Sequence, residues 1–225
     1  MAATPIRAEA LPGGRGEVIF GGTFDPPHLG HMAVIEGLRR ELKLPLTVIP
    51  NGNPPHRSRP TASPLDRLRM LRLSVQELGD SLVSVSDLEV KRPGPSYSAD
   101  TLATIAARDT SRELFLALGA DAASRLSSWE RPEVVLESAR LVLFDRLGTS
   151  DRGEEVIANL GRLGWRVEGA RVLRISAPEV EASEVRQRLS QGDRCPDALS
   201  PAVARDIAAR GLYGWPKGRL EAGMG

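Results

Sequence analysis

The chain has 225 residues, 41% hydrophobic and 26% charged, which suits one large globular domain with a proper core. Lys+Arg 30 against Asp+Glu 29 leaves a net charge of +1, and with 4% aromatic residues this gives no support to a nucleic-acid binder or a membrane-surface protein. The lone cysteine, Cys195, rules out an internal disulfide and a Cys-rich zinc site and fits a reducing, cytoplasmic setting, while no apolar run reaches the length needed to span a bilayer.

Residues 1–16 carry Pro12 and Gly13-Gly14 without the apolar core of a signal peptide, and read as a loose tail or the product of an upstream start codon. Residues 18–21 form a short apolar run of the buried-strand type. Residues 29–43 place Met32, Ile35, Leu38 and Leu42 on one side of a helix, which Pro45 stops. A strand over 46–50 leads into a loop over 51–60 rich in Asn, Gly and Pro. Ser63-Pro64 opens a helix running to about Leu78, with proline at the first helical position. A strand at 82–85, a Pro/Gly loop at 91–96 and a helix at 98–108 follow. Residues 113–118 read as a strand ending in Gly119-Ala120-Asp121, and 140–145 as another. A helix at 151–163, a strand at 171–175 and helices at 183–190 and 201–210 close the chain. Strands alternating with helices predict an α/β fold, a doubly wound parallel sheet covered on both faces, with a small helical C-terminal end. One domain is expected over 17–215, with 216–225 as a tail.

The most informative stretch is Gly21-Gly22-Thr23-Phe24-Asp25-Pro26-Pro27-His28-Leu29-Gly30-His31. Two glycines after a strand let the backbone turn sharply and approach a ligand. His28 and His31 sit on one face of the first helical turn, where backbone N–H groups and the positive end of the helix dipole suit a phosphate. The stretch therefore reads as a triphosphate-handling site. Gly119-Ala120-Asp121 also follows a strand directly, and in a doubly wound sheet both loops fall on the ligand-binding rim. Metal ligation by the two histidines is the alternative, with Asp25 as the only nearby carboxylate; no metal ligand is assigned. Nucleotidyl transfer at an α-phosphate needs alignment and charge stabilisation more than covalent help. Imidazole N–H groups can offset charge as pyrophosphate leaves, and an attacking phosphate is already an oxyanion that needs no general base.

Gly22 through His31 resembles the signature of the nucleotidyltransferase superfamily that carries His-x-Gly-His. Class I aminoacyl-tRNA synthetases share a related motif, but this chain is short and lacks their lysine-rich second signature. The rest of the chain is similar to bacterial nicotinate-nucleotide adenylyltransferases. The similarity rests on Pro54-Pro55-His56, Arg67-Leu68-Arg69-Met70, Asp87-Leu88-Glu89, Gly94 through Leu102 with its Ser96-Tyr97-Ser98-Ala99-Asp100-Thr101, then Gly119-Ala120-Asp121, Trp129 and Gly211-Leu212-Tyr213. It implies a Rossmann-like nucleotidyltransferase fold and a reaction of ATP, with Mg²⁺, on nicotinic acid mononucleotide to give deamido-NAD and pyrophosphate.

By the same resemblance, Gly21, Gly22, Thr23 and Phe24 line the phosphates, and His28 and His31 bind and stabilise the triphosphate. His56 and Arg57 follow as phosphate contacts, and Asp121 after Gly119 faces the ribose. Tyr97, Ser98 and Trp129 form the nicotinate pocket, where an aromatic face stacks on a pyridine and a hydroxyl with backbone N–H groups receives a carboxylate. Three departures stand out. Arg57 occupies the position of the family's usual lysine. Ser98 replaces a threonine but keeps the hydroxyl. The C-terminal signature Ile-Ser-Ser-Thr-x-Ile-Arg reads here as Val180-Glu181-Ala182-Ser183-Glu184-Val185-Arg186. In that register Ser183 caps a helix and Arg186 reaches the β- or γ-phosphate. A register starting at Ile175-Ser176-Ala177 puts Glu181 where the arginine belongs. Rival readings are the same chemistry on phosphopantetheine, and a nucleotide sensor that binds ATP without turnover. The expected partners are small molecules, with no nucleic acid and no membrane; a homo-oligomer is left open.

Overall fold

The structure is a computed structural model that describes residues 16–55, 60–146 and 152–216. Six strands, β1 (Gly16–Gly22), β2 (Leu46–Pro50), β3 (Val83–Val85), β4 (Glu113–Gly119), β5 (Arg140–Arg146) and β6 (Arg171–Ile175), form one sheet in the order β3-β2-β1-β4-β5-β6. Every neighbouring pair is parallel, with Phe20 opposite both Val48 and Ala117, and Gly119 opposite Phe144. The order reverses between β1 and β4, so the ligand crevice belongs at the carboxyl ends of those two strands.

Side chains alternate along each strand, and the two sets build two cores. Val18, Phe20, Leu46, Val48, Phe115, Ala117, Val142 and Phe144 face α1 (Leu29–Leu42) and α2 (Pro64–Leu78). Ile19, Ile49, Leu114, Leu116, Leu118, Leu141 and Leu143 face α4 (Ser98–Ala106), α6 (Pro132–Ser138) and α7 (Gly153–Arg162). Both sets are apolar, which is why these strands read as continuous hydrophobic runs. Helix α1 buries Met32, Ile35, Leu38 and Leu42, the expected stripe. It lies against β6 because residue 37 is glycine: a Cβ there would stand 2.6 Å from Ile175 Cγ2.

The helical C-terminal end consists of α8 (Ala182–Ser190), α9 (Pro201–Arg210) and a 3-10 turn over Leu212–Gly214. Its own core gathers Val185, Leu189, Cys195, Leu199, Val203, Ile207, Tyr213 and Trp215 with Met70 from α2. Cys195 is buried, which pushes its thiol up to about 11 and keeps it inert. An ionic network docks α9 on α2: Arg69 binds Asp206 at 2.8 Å and Asp66 at 2.9 Å, and Arg210 binds Asp66 at 3.2 Å. Partial burial raises the Asp66 carboxyl, but Ser63, Arg69 and Arg210 outweigh it and hold the net value below 3.8. A carboxyl depressed in the fold adds stability above its unfolded value, and that gain is lost as pH falls through the folded value. Asp66→Asn therefore melts below the parent at pH 7 by about 1 kcal/mol, and the gap closes as the pH is lowered below 3.8; thermal melts across pH check this.

The strand and helix expectations hold within a few residues, with two differences. Gly16 already belongs to β1, so the sheet begins one residue earlier than the expected domain boundary. Short helices α3 (Leu88–Lys91), α5 (Ala120–Ala123) and α6 fill stretches that read as loops or were unassigned; at four to seven residues they are too short to show a helical period. Residues 1–15 and 217–225 lie outside the described residues. Among the described residues no helix is long and apolar enough to cross a membrane.

Candidate active site

The β1–α1 connection turns where the chain leaves Gly22, but not through glycine. Neither Gly21 nor Gly22 has positive φ; the left-handed residue is Phe24 at φ 52, followed by a cis Asp25–Pro26 bond. A non-glycine residue holds that backbone only when packing fixes it. Phe24 is 1% exposed, edge-on to Phe20 at 5.9 Å and to the His31 ring at 4.9 Å. Its side chain is thus core, and only its backbone can meet a phosphate. Gly22 is glycine for packing, since a Cβ would lie 2.8 Å from the Phe24 ring. Gly21 is exposed, and a Cβ there would meet nothing nearer than Ile49 O at 3.9 Å, so this face of the residue is open to a ligand.

His28 is the N-cap of α1, and His31 stands one turn in, with the two rings 3.6 Å apart and tilted 30°. The His28 backbone N–H donates to His31 Nδ1 at 3.2 Å. In the neutral ring that bond assigns the proton to Nε2, making His31 Nε2–H a donor. Gly30 separates them because a Cβ would come within 3.0 Å of both His28 Nδ1 and Pro178 O. The helix start is less open than the sequence suggests. Leu29 N–H is taken by Ala198 O at 2.8 Å, and His31 N–H by His28 O at 2.9 Å, leaving that of Gly30 in the first turn. The donors here are therefore imidazoles and one amide rather than a bare helix end.

The loop is clamped from below and from the C-terminal end. Arg67 is fully buried; its guanidinium donates to Thr23 O at 2.7 Å and Gly52 O at 3.0 Å, tying the β1 and β2 loops together. Burial lowers its pKa, opposed by the charges of Asp25 and Glu89. The Asp25 carboxylate accepts from Thr61 N, Ala62 N and the Tyr213 hydroxyl, which ties it to the segment entering α2 and to the C-terminal turn. Arg186 donates to Asp25 O at 2.8 Å. That contact brings Arg186 to the β1–α1 loop and favours the register ending at this residue. Ser183 does not cap α8: the N-cap is Glu181, and Ser183 is exposed inside the first turn. Three residues before Arg186 is simply two positions past the cap.

Along Gly21–Thr23 lies a cavity of about 470 Å³, large enough for a small molecule. Its floor is Ile19, Ile49, Leu116 and Leu118 from the sheet, and its walls include Tyr97, Ser98, Ser128 and Trp129. Tyr97 is the N-cap of α4 and no side chain caps that helix, so Ser98 stands at an open helix start. Trp129 follows the 3-10 turn Leu126–Ser128, half-buried against the core with a face on the cavity. Behind the wall, buried Glu89 accepts from Asn51 Nδ2 and Thr101 Oγ1, each at 2.8 Å, and Ser96 Oγ accepts from Gly52 N at 2.9 Å. These bonds fix the loop after β2 against α4.

The structure thus joins Gly21, Gly22 and Thr23 with Tyr97, Ser98 and Trp129 at one cavity, and gathers His28, His31 and Arg186 around the adjoining loop. Gly119 sits at the carboxyl end of β4, but Asp121 points outward in an ion pair with Arg152 at 2.5 Å, its side chain 79% exposed. His56 and Arg57 lie outside the described residues. Sequence reasoning assigned no role to Arg67, Asn51, Glu89, Ser96, Arg125 or Ser128. Arg67 carried a signal, an arginine in register with Met70, Leu71 and Ser74 on the buried stripe of α2.

Comparison with known proteins agrees with this geometry. Residues 19–188 match the family described as cytidylyltransferase-like. A protein of Serratia proteamaculans named probable nicotinate-nucleotide adenylyltransferase is 35% identical over 208 residues, covering 87% of this chain and 94% of that one. One of the same name from Thermomicrobium roseum is 35% identical over 201 residues, covering 87% and 90%. Among solved structures, the Plasmodium falciparum nicotinic acid mononucleotide adenylyltransferase complexed with NaAD superposes with a TM-score of 0.72 at 17% identity, over 90% of this chain and 99% of that one. The same enzyme complexed with APC gives 0.69, again a likeness of fold. Motif, sheet order, clamped phosphate loop and relatives converge: this chain belongs to the cytidylyltransferase-like family and, within it, to the nicotinate-nucleotide adenylyltransferases.

Proposed function

We propose that the chain transfers the adenylyl group of ATP to nicotinic acid mononucleotide, releasing pyrophosphate and forming deamido-NAD, a step of NAD biosynthesis. The observation that carries this is one loop joining two features: the stacked His28 and His31 imidazoles with Arg186 bonded to Asp25 O, and an aromatic and hydroxyl-lined cavity along Gly21–Thr23. ATP held by the first and a mononucleotide by the second meet at the exposed Gly21 backbone.

In this reading a phosphate oxygen of the mononucleotide forms the new bond to the α-phosphorus while the bond to the β-phosphate oxygen breaks. The attacking oxygen is already anionic, so catalysis is alignment and charge stabilisation. The Nε2–H of His31, the Gly30 amide and the Arg186 guanidinium are the donors for charge building on the leaving pyrophosphate. Mg²⁺ enters as part of the substrate, bound by phosphate oxygens and water. The nicotinate ring stacks on Trp129, and its carboxylate is received by the Ser98 hydroxyl and the open N-terminus of α4.

The test is pyrophosphate release from ATP and Mg²⁺ with nicotinic acid mononucleotide, nicotinamide mononucleotide and phosphopantetheine offered in parallel. A strong preference for the acid is expected; ATP binding by folded protein with no turnover of any acceptor would replace the enzyme with a nucleotide sensor. Trp129→Ala should raise KM for the mononucleotide by about 10-fold, the loss of one aromatic stack, and leave KM for ATP unchanged in the same assay.

A further inference from the structure

The closing Gly211-Leu212-Tyr213 stretch has no part in the reaction described so far, yet its hydroxyl reaches the phosphate loop. Tyr213 Oη donates to Asp25 Oδ1 at 2.8 Å, and both groups are buried. The same carboxylate accepts from Thr61 N at 2.7 Å and Ala62 N at 3.1 Å. One side chain therefore joins the β1–α1 loop, the segment entering α2 and the C-terminal turn, 188 residues apart in sequence. Tyr213 holds this place in a left-handed backbone at φ 56 between Gly211 and Gly214, both also at positive φ. A tyrosine in that conformation is a strained choice, and a glycine-flanked turn that aims a phenol at one carboxylate is a specific arrangement.

The turn packs directly on α8, where Val185 and Leu189 share its core and Arg186 reaches Asp25 O at 2.8 Å. The C-terminal end thus grips Asp25 twice, by its carboxylate through Tyr213 and by its carbonyl through Arg186. Two further contacts run parallel: Ala198 O accepts from Leu29 N, and Pro178 O lies where a Gly30 Cβ would touch it. We propose that Tyr213 is a positioning residue for the triphosphate half of the site, its bond to Asp25 setting where α8 presents Arg186 to the β1–α1 loop. The inference rests on the adenylyl-transfer reading for its assay, but its geometry concerns ATP alone. Tyr213 is buried and does not line the cavity; it acts through Arg186.

Tyr213→Phe removes only the hydroxyl and keeps the ring in its core, so the variant folds. The expected result is about a tenfold rise in KM for ATP, the size of one lost hydrogen bond to a charged group, with a lower kcat and an unchanged KM for the mononucleotide. A purely structural role would lower the melting temperature and move both KM values together or neither. The decisive comparison is the double variant. If Tyr213 works through Arg186, Tyr213→Phe in an Arg186→Ala background adds nothing to the loss already caused by Arg186→Ala. Additive losses, or an unchanged KM for ATP in Tyr213→Phe, overturn the proposal. Titration of the parent and the three variants with α,β-methylene ATP and Mg²⁺ reads the same coupling as a Kd without any acceptor. A parent that binds this analogue but never turns over therefore sinks the reaction assignment and leaves the positioning role tested.

Discussion

His31→Ala lowers kcat by about 100- to 1000-fold while the protein stays folded. The magnitude is that of removing one preorganised donor aimed at charge developing in the transition state. The proposed reaction gives His31 two tasks, and the variant removes both. Its Nε2–H would donate toward phosphate, and its Nδ1 accepts the His28 backbone N–H. Losing the second leaves that N–H without its acceptor and loosens the His28 ring stacked 3.6 Å away. His31→Asn separates the tasks. The asparagine carbonyl can occupy the Nδ1 position and restore the bond to His28, but it reaches no further, so the distal donor is missing. Turnover in His31→Asn should be as low as in His31→Ala, with a melting temperature back near the parent value. Steady-state pyrophosphate release and thermal melts on both variants decide it. Recovery of turnover by asparagine would make His31 a helix cap that acts by placing His28. Near-parental turnover in a folded alanine variant would remove His31 from the catalytic group altogether.

The sheet was legible because its strands are buried on both faces and therefore carry unbroken apolar runs, such as Leu114 through Leu118 and Leu141 through Phe144. The pairing of His28 and His31 at the start of α1 was legible because Gly30 and the three-residue spacing put both rings on one helical turn. What stayed hidden depends on distance in sequence. Nothing near Asp25 announces that its partners are Thr61, Ala62 and Tyr213. The glycines misled in another way. Gly22 looked like the residue that lets the chain turn, yet it makes room for the Phe24 ring, and the left-handed turn falls on Phe24 itself. The serine of the expected cap at 183 was misplaced because one turn of helix can be read from several starting residues, and only the backbone shows that Glu181 comes first. Arg67 shows the reverse case: helical spacing puts it on the buried face of α2, and a buried arginine implies carbonyls or carboxylates waiting for it.

Gly52→Ala is the substitution expected to cost the most stability. A Cβ at Gly52 would lie 2.2 Å from Glu89 O and 3.0 Å from Glu89 C, backbone atoms that cannot swing aside. The loop after β2 must move, and it is held at both ends of the residue: Gly52 N donates to Ser96 Oγ at 2.9 Å and Gly52 O accepts from Arg67 at 3.0 Å. Overpacking of this kind costs about 1–3 kcal/mol, and each buried hydrogen bond broken adds about 1 kcal/mol or more. A loss of roughly 3–5 kcal/mol is therefore expected, read as a fall in the denaturation midpoint at unchanged slope. The damage reaches both halves of the site, because Arg67 also holds Thr23 O and Asn53 N shares the Ser96 hydroxyl. Residual folded enzyme should show raised KM for ATP and mononucleotide together. Gly21→Ala is the matched control. Its Cβ meets nothing closer than 3.9 Å and needs no unusual φ, so stability stays within about 0.5 kcal/mol of the parent. If the open Gly21 backbone is where the two substrates meet, the added methyl crowds them and kcat/KM falls with the fold intact. Equal activity in Gly21→Ala and the parent would move the meeting point of the substrates away from Gly21, toward Thr23 and the Gly30 amide.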